Sequence, residues 1–274
     1  MIGTLKKMES ELGNPVEYQL PIGDERAPIS SLIGEEIWMR HTGNIFCTHC
    51  NRKTKKSFSQ GHCYPCFKKL ASCDMCIVKP EQCHFSQGTC REPEWGDKFC
   101  NDYHIVYLAN SSGLKVGITR NTQIPTRWID QGASQALPVF RVATRHLSGL
   151  VEVILAKRVA DKTNWRAMLK GEPEPLDMIA RRDELLAESQ DDLAALAEQL
   201  GAPQDQIMER LDGPVVDIKF PVQEYPVKVS SFNFDKTPEV GGKLVGIKGQ
   251  YLIFDTGVIN MRKFTAYEIE FKSA

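Results

Sequence analysis

At 274 residues, with 42% hydrophobic and 25% charged residues, the chain has ordinary globular composition and enough length for several cores. It lacks eighteen uninterrupted apolar residues, and its first thirteen residues lack an apolar signal core, so the sequence predicts a cytoplasmic protein with no membrane span. The formal charge of −1 hides a segregation: residues 40–170 carry 20 Lys and Arg against 9 Asp and Glu, an excess of +11 that the flanks offset with −12.

A basic middle with acidic flanks points to a polyanion partner, DNA or RNA, although the segments could also simply neutralise one another within one fold. In chain order, Thr4–Met8 and Val16–Leu20 alternate apolar and polar residues like strands. Residues 1–40 are therefore expected to complete a β-domain formed mainly by the C-terminal part.

Residues 41–103 hold all nine cysteines, between Cys47 and Cys100. Cys47-x-x-Cys50 and Cys63-x-x-Cys66 are twelve residues apart, a zinc-ribbon spacing in which two knuckles supply four thiolates to one tetrahedral ion. A closed all-sulfur shell leaves no open position, so the metal's role there is structural. Cys73, Cys76, Cys83 and Cys90 form the most economical second site, in which Cys100 or His84 could replace one ligand. Four thiolates also suit an iron–sulfur cluster. So polar a segment could hardly build its own core, and metal binding would supply its folding energy.

Residues 104–172 read as β-β-α-β-α. His104–Ala109 and Leu114–Thr119 make a hairpin across Asn110–Gly113, Pro125 can open a helix carrying Arg127, and Leu137–Arg145 is a third strand. Ser148 is a candidate N-cap for a helix with Val151, Ile154, Leu155 and Val159 on one face and Glu152 among them.

The runs Val106-Tyr107-Leu108 and Lys115-Val116-Gly117, followed by Arg127 and Glu152, resemble the pattern of GIY-YIG nucleases. The resemblance implies that Tyr107 helps activate water, Arg127 clamps a phosphate and Glu152 holds a Mg²⁺ or Mn²⁺ ion. Lys115 stands where that family usually has a second tyrosine. Side chains alternate along a strand, so Tyr107 and Lys115 share a face only if the hairpin pairs odd positions with odd, as a loop of three or five residues allows. Most of the chain is also similar to an uncharacterised bacterial family, through Cys63–Cys66, Gly88–Pro93, Lys115–Arg120 and Arg127–Ala133. That likeness brings no reaction with it.

Residues 173–213 form an acidic segment in which Leu176–Leu200 is one long amphipathic helix or a helical pair, ended by Gly201. Residues 214–274 are β-rich, with runs at Gln250–Phe254 and Val258–Met261, and suggest a small antiparallel barrel or half-barrel. Arg120, Arg141 and Arg145, with Lys248 and Tyr251 on that barrel, are candidate nucleic-acid contacts. Arg262 and Lys263 could join them or merely solubilise the surface.

The expectation is thus a multidomain α+β protein with a two-site zinc-ribbon-like module, a GIY-YIG-like domain, an acidic helical segment and a small antiparallel β-domain. Its expected activity is divalent-metal-dependent endonuclease cleavage. The alternatives are a non-catalytic DNA- or RNA-binding protein on a degenerate nuclease core and an iron–sulfur redox or sensor protein.

Overall fold

Alternating burial governs the first 45 residues, and a computed structural model describing residues 1–159 and 164–273 gives it form. Residues 160–163, inside the expected 104–172 unit, and residue 274, at the end of the expected β-domain, lie outside the described residues. Strands β1 (Ile2–Thr4), β2 (Glu9–Glu11), β3 (Glu17–Ile22), β4 (Glu25–Ala27) and β5 (Glu36–Ile45) come first. Leu5 and Met8 are buried, but of the strand expected over Thr4–Met8 only Thr4 lies in a strand, β1, and the rest runs between β1 and β2. Tyr18, Leu20 and Ile22 of β3 point inward, as do Ile37 and Met39 of β5. The expected domain boundary at residue 40 falls inside β5.

The cysteine-rich segment holds two short helices, α1 (Tyr64–Lys69) and α2 (Pro93–Phe99), linked by 3₁₀ turns. A central unit follows: β6 (His104–Asn110), β7 (Leu114–Arg120), α3 (Thr126–Asp130), β8 (Gln135–Val142) and α4 (Arg145–Ala156). The N-cap of α4 is Thr144, not Ser148: the Thr144 hydroxyl accepts from Leu147 N at 3.1 Å, while buried Ser148 donates to Arg145 O at 2.7 Å. The threonine lies just before the first helical turn, where backbone N–H groups lack partners, and Ser148 sits one turn too late to serve them.

Beyond α5 (Trp165–Met168), α6 (Met178–Leu200) is a single helix. Asp177 caps its start, and Gly201, at φ 71°, closes its end in the left-handed conformation that glycine adopts without steric cost. After α7 (Gln204–Ile207) come β9 (Met208–Arg210), β10 (Val216–Asp217), β11 (Glu239–Lys248), β12 (Tyr251–Phe254), β13 (Gly257–Asn260) and β14 (Tyr267–Ser273).

The protein is α+β, with three antiparallel sheets among the described residues. The largest runs β1-β14-β5-β11-β12-β13 and interleaves strands from both ends of the chain. It is an open path with β1 and β13 at its ends, so the barrel expected at the C-terminus is not closed. The second sheet runs β10-β8-β6-β7, with β9 also on β8; β10, expected in the C-terminal domain, pairs with Gln135 and Ala136 instead. The third is β2-β3-β4.

The central sheet is buried on both faces. Ile105, Tyr107 and Ala109 join the core of the six-stranded sheet, along with Trp128 and Ile129 of α3. Val106, Leu108, Val116 and Ile118 pack with α4 and α6. Both faces of β6 therefore lie in apolar cores, and its position relative to α3 and α4 is tightly held.

Lys248 corrects an expectation, because it is fully buried rather than exposed. Its ammonium donates to Gly171 O at 2.9 Å and lies over the rings of Phe220 at 5.6 Å and Tyr225 at 5.2 Å. Burial pulls the amine down to about 8, against a smaller upward pull from Glu172. A folded-state value below that of the unfolded chain means that the unfolded state binds more protons between about pH 8 and 10.5, so this group's contribution to stability rises with pH across that window. The stability of wild type relative to Lys248→Met should rise by about 3 kcal/mol from pH 8 to 10.5, read from urea midpoints. A constant difference would show that the amine does not titrate there.

Candidate functional site

Cys47 lies two residues beyond the end of β5, and the backbone folds back at once: Cys47 N donates to Arg52 O and Asn51 N to Cys47 O. This tight knuckle presents Cys47 and Cys50 on one side. The second knuckle enters α1, with Cys63 at its N-cap position and Leu70 N donating to Cys66 O. Ligand atoms of all four cysteines lie within 4.8 Å of one another, and the Cys50 and Cys63 sulfurs are 3.7 Å apart.

Sulfurs bound about 2.3 Å from one tetrahedral zinc ion are spaced at about 3.8 Å, so the group could hold a single metal ion and is compatible with zinc. Burial raises the Cys47 thiol, but N–H groups of Cys63, Cys50 and His49 and the Cys50 side chain outweigh it and bring the thiol to about 6. Cys66 moves the other way, raised by burial and then by the three neighbouring sulfurs. Crowding of this kind is relieved when the thiolates share a cation.

The second expected set is arranged differently. The group at ligand distances is Asp74, Cys76 and His84. Cys83, Cys90 and Cys100 lie close enough for their charges to raise Cys76, which burial and then Asp74 push up to about 11. Cys73 is buried at the end of a 3₁₀ turn and takes no part in that group. Asp74, which the cysteine pattern passes over, lies in the Cys73-x-x-Cys76 loop and also pairs with Arg91 Nε at 2.7 Å. His84, weighed only as a substitute ligand, belongs to the group.

The hairpin between β6 and β7 turns through three residues, Ser111 to Gly113, and pairs Tyr107 with Gly117 and Ala109 with Lys115. Odd positions face odd, so Tyr107, Lys115 and Gly117 share the sheet face toward α3. The Tyr107 ring lies over Gly117, where an added Cβ would come within 2.6 Å of Tyr107 Cζ and 2.7 Å of its hydroxyl. That hydroxyl donates to Gln131 Oε1 at 3.0 Å, and the ring packs edge-on against Trp128 at 5.9 Å.

Burial raises the phenol to about 12. Arg127 opposes the shift by charge and hydrogen bond, and Glu152 adds to it by charge. Tyr107, Arg127 and Glu152, distant in sequence, are thus brought into electrostatic contact. Lys115 is nearly buried on the same face as Tyr107. Gln131 carried no sequence signal beyond its position just after the short helix α3.

The candidate nucleic-acid contacts scatter. Arg120 lies over the Phe99 ring at 5.0 Å; Arg141 lies over Tyr103 at 5.1 Å and pairs with Glu209 at 2.7 Å. Tyr251 stacks on Trp165, with centroids 5.7 Å apart and planes 6° from parallel. Arg145 points inward, its Nη2 donating to Ile77 O at 2.6 Å. Lys248 is the buried amine described above, so its environment argues against a direct contact.

A family profile described as "Protein of unknown function (DUF2797)" matches residues 34–269. The chain belongs to that family. No curated protein and no solved structure matches it. Within this DUF2797 chain the matched span runs from just before β5 into β14, and it contains both cysteine groups, Tyr107, Arg127 and Glu152. Among the described residues, no helix is long and apolar enough to cross a membrane.

Two outcomes follow from the geometry. Cys63→Ser should lower the bound metal by about one equivalent per chain, measured by elemental analysis of purified protein, and unchanged content would exclude the four-cysteine group as a metal site. Gly117→Ala should destabilise the fold by about 1–3 kcal/mol in urea unfolding, because the Tyr107 ring has nowhere to move. Unchanged stability would mean that the ring is free to shift.

Proposed function

We propose that the chain is a nucleic-acid-binding zinc protein whose central unit is a divergent GIY-YIG-like endonuclease site that hydrolyses phosphodiester bonds. In this reading Cys47, Cys50, Cys63 and Cys66 form a zinc-ribbon-like structural site, and the second cysteine-rich loop holds a further structural zinc. The observation that carries the reading is the hairpin register, which sets Tyr107, Lys115 and Gly117 on one face, with Arg127 and Glu152 acting on the same phenol. The β-β-α-β-α order of the unit gives further support.

Arg127 beside the Tyr107 hydroxyl would meet negative charge growing on phosphate oxygens, and its guanidinium fork suits two of them at once. Lys115, on the same face, would add a second positive charge. The single helical carboxylate of Glu152, with substrate oxygens and water completing the shell, is a donor set that Mg²⁺ accepts. A Mg²⁺ or Mn²⁺ ion there would polarise the phosphate and offset the carboxylate charge that helps keep the phenol protonated. With its pKa raised to about 12, Tyr107 is a neutral phenol at pH 7, so its resting role is to orient a water rather than to deprotonate it.

One observation favours the non-catalytic alternative: Tyr107 is fully buried and its hydroxyl already engages Gln131. A labelled panel of single- and double-stranded DNA and RNA, incubated with Mg²⁺ or Mn²⁺, separates the two readings. Wild type should cleave at least one substrate, and Glu152→Ala, with wild-type zinc content and melting temperature, should lose about 100-fold or more in rate. Salt-sensitive binding without cleavage across the panel would establish the non-catalytic reading, and neither binding nor cleavage would overturn both. Visible absorbance with stoichiometric iron would instead establish the iron–sulfur alternative.

A further inference from the structure

We propose that the space beside Tyr107 is a phosphate-binding site built by three guanidiniums, Arg127, Arg145 and Arg262, and that the cysteine-rich segment positions two of them through Gln60 and Ile77. The phosphodiester reading identifies the anion as a nucleic-acid backbone; the site itself rests on the arginines.

Arg262 belongs to a 3₁₀ turn, Met261–Phe264, that follows β13. Met261 and Phe264 are buried on either side of it, and Asn260 accepts from Lys263 N at 3.3 Å, so the backbone carrying Arg262 is fixed. Its Nε donates to Gln60 Oε1 at 2.6 Å, across 202 residues of sequence. Gln60 lies between the two knuckles of the four-cysteine group. The Arg262 guanidinium also comes within 4.0 Å of Asp130 Oδ2. Asp130 lies three residues after Arg127 in α3, nearly one helical turn, so Arg262 approaches that helix on the side that carries Arg127.

Arg145 enters from another direction. It opens α4, seven residues before Glu152, and two helical turns put both on one face. Ile77 of the second cysteine-rich loop accepts from its Nη2, while its Nε is buried and makes no hydrogen bond among the described residues. That loop packs closely on α4: a Cβ at Gly149 would lie 2.6 Å from Glu81 N. Burial and then the charge of Arg127 hold the Arg262 guanidinium below its usual range. Arg145 is also held low, by burial and by Arg127, against opposing pulls from Cys100, Cys76 and Glu152.

An arginine that serves only as a structural tie usually ends on a carboxylate. Here the hydrogen-bond acceptors are an amide oxygen and a peptide carbonyl, which satisfy geometry and leave the charge. Asp130 is already shared with Lys7 at 2.8 Å and with Gln250 at 2.8 Å. Arg145 and Arg262 each lie in electrostatic range of Arg127. Partly desolvated cations grouped in this way are costly together unless an anion joins them, and planar forks fit phosphate oxygens.

The test uses the metal-loaded full chain with inorganic pyrophosphate as probe, by calorimetry, beside a fluorescent oligonucleotide titrated at several salt concentrations. Wild type should bind pyrophosphate, and Arg262→Gln and Arg145→Gln should each weaken it about tenfold or more. Gln60→Ala should weaken it too without changing metal content. Arg40→Gln, which breaks an exposed pair with Glu270, should change nothing. The salt slope of oligonucleotide binding should fall by about one for each site arginine removed.

No pyrophosphate binding by wild type overturns the inference, as does wild-type binding by an Arg262→Gln protein with unchanged melting temperature. If the oligonucleotide still binds in either case, the nucleic-acid reading survives without this site. Arginine-dependent pyrophosphate binding without any oligonucleotide binding keeps the site and removes the nucleic acid.

Discussion

The carboxylate of Asp130 is where the separate parts of this fold meet. It is nearly buried, and it takes Lys7 from the N-terminal segment and Gln250 from the turn between β11 and β12. Gln250 also bonds both backbone groups of Met8, so the same contact ties the beginning of the chain to its C-terminal strands. Because Asp130 lies on α3, this network sets the helix that carries Arg127 and precedes Gln131. An ionised carboxylate with little access to water is tolerated only while its partners hold, and that requirement fixes the geometry around Tyr107.

Around that point the chain is organised by sheets rather than by consecutive domains. The six-stranded sheet draws β1 and β5 from one end of the chain and β11 to β14 from the other. Its core continues onto one face of the central sheet through Ile105, Tyr107 and Ala109. The candidate site therefore lies where the central unit, the large sheet and the cysteine-rich segment adjoin. Gln60 of the cysteine-rich segment bonds Arg262, and the Ile77 carbonyl bonds Arg145.

What was legible in the sequence was local. Cysteine spacing located the four-sulfur group because two short knuckles are encoded within a few residues each. β-rich runs on either side of a turn located β6 and β7, and the parity of the hairpin followed once its loop proved to have three residues. Thr144 escaped because the third strand was expected to run through Arg145, whereas it ends at Val142 and the helix begins at Arg145. Lys248 was misread because its burial depends on Phe220, Tyr225 and Gly171, none of them neighbours in sequence. Asp74 and Gln131 gave no signal, since their partners are set by tertiary approach. Val216 looked like part of a C-terminal barrel, although its pairing partner is Ala136 in the central sheet.

The placement of β5 has a consequence for the order in which the protein can form. Both of its neighbours, β14 and β11, come from the last strands of the chain, and the pair Arg40 and Glu270 is separated by 230 residues. During synthesis β5 must therefore remain without its partners while the cysteine groups, whose ligands lie within a short stretch, close on their own. Contacts of such long range are slow to form, and an unpaired strand edge is open to wrong partners in the interval. Early closure of the knuckles would fix the C-terminal end of β5 and leave only its N-terminal side free to move, so the cysteine-rich segment would act as a guard on the nascent chain.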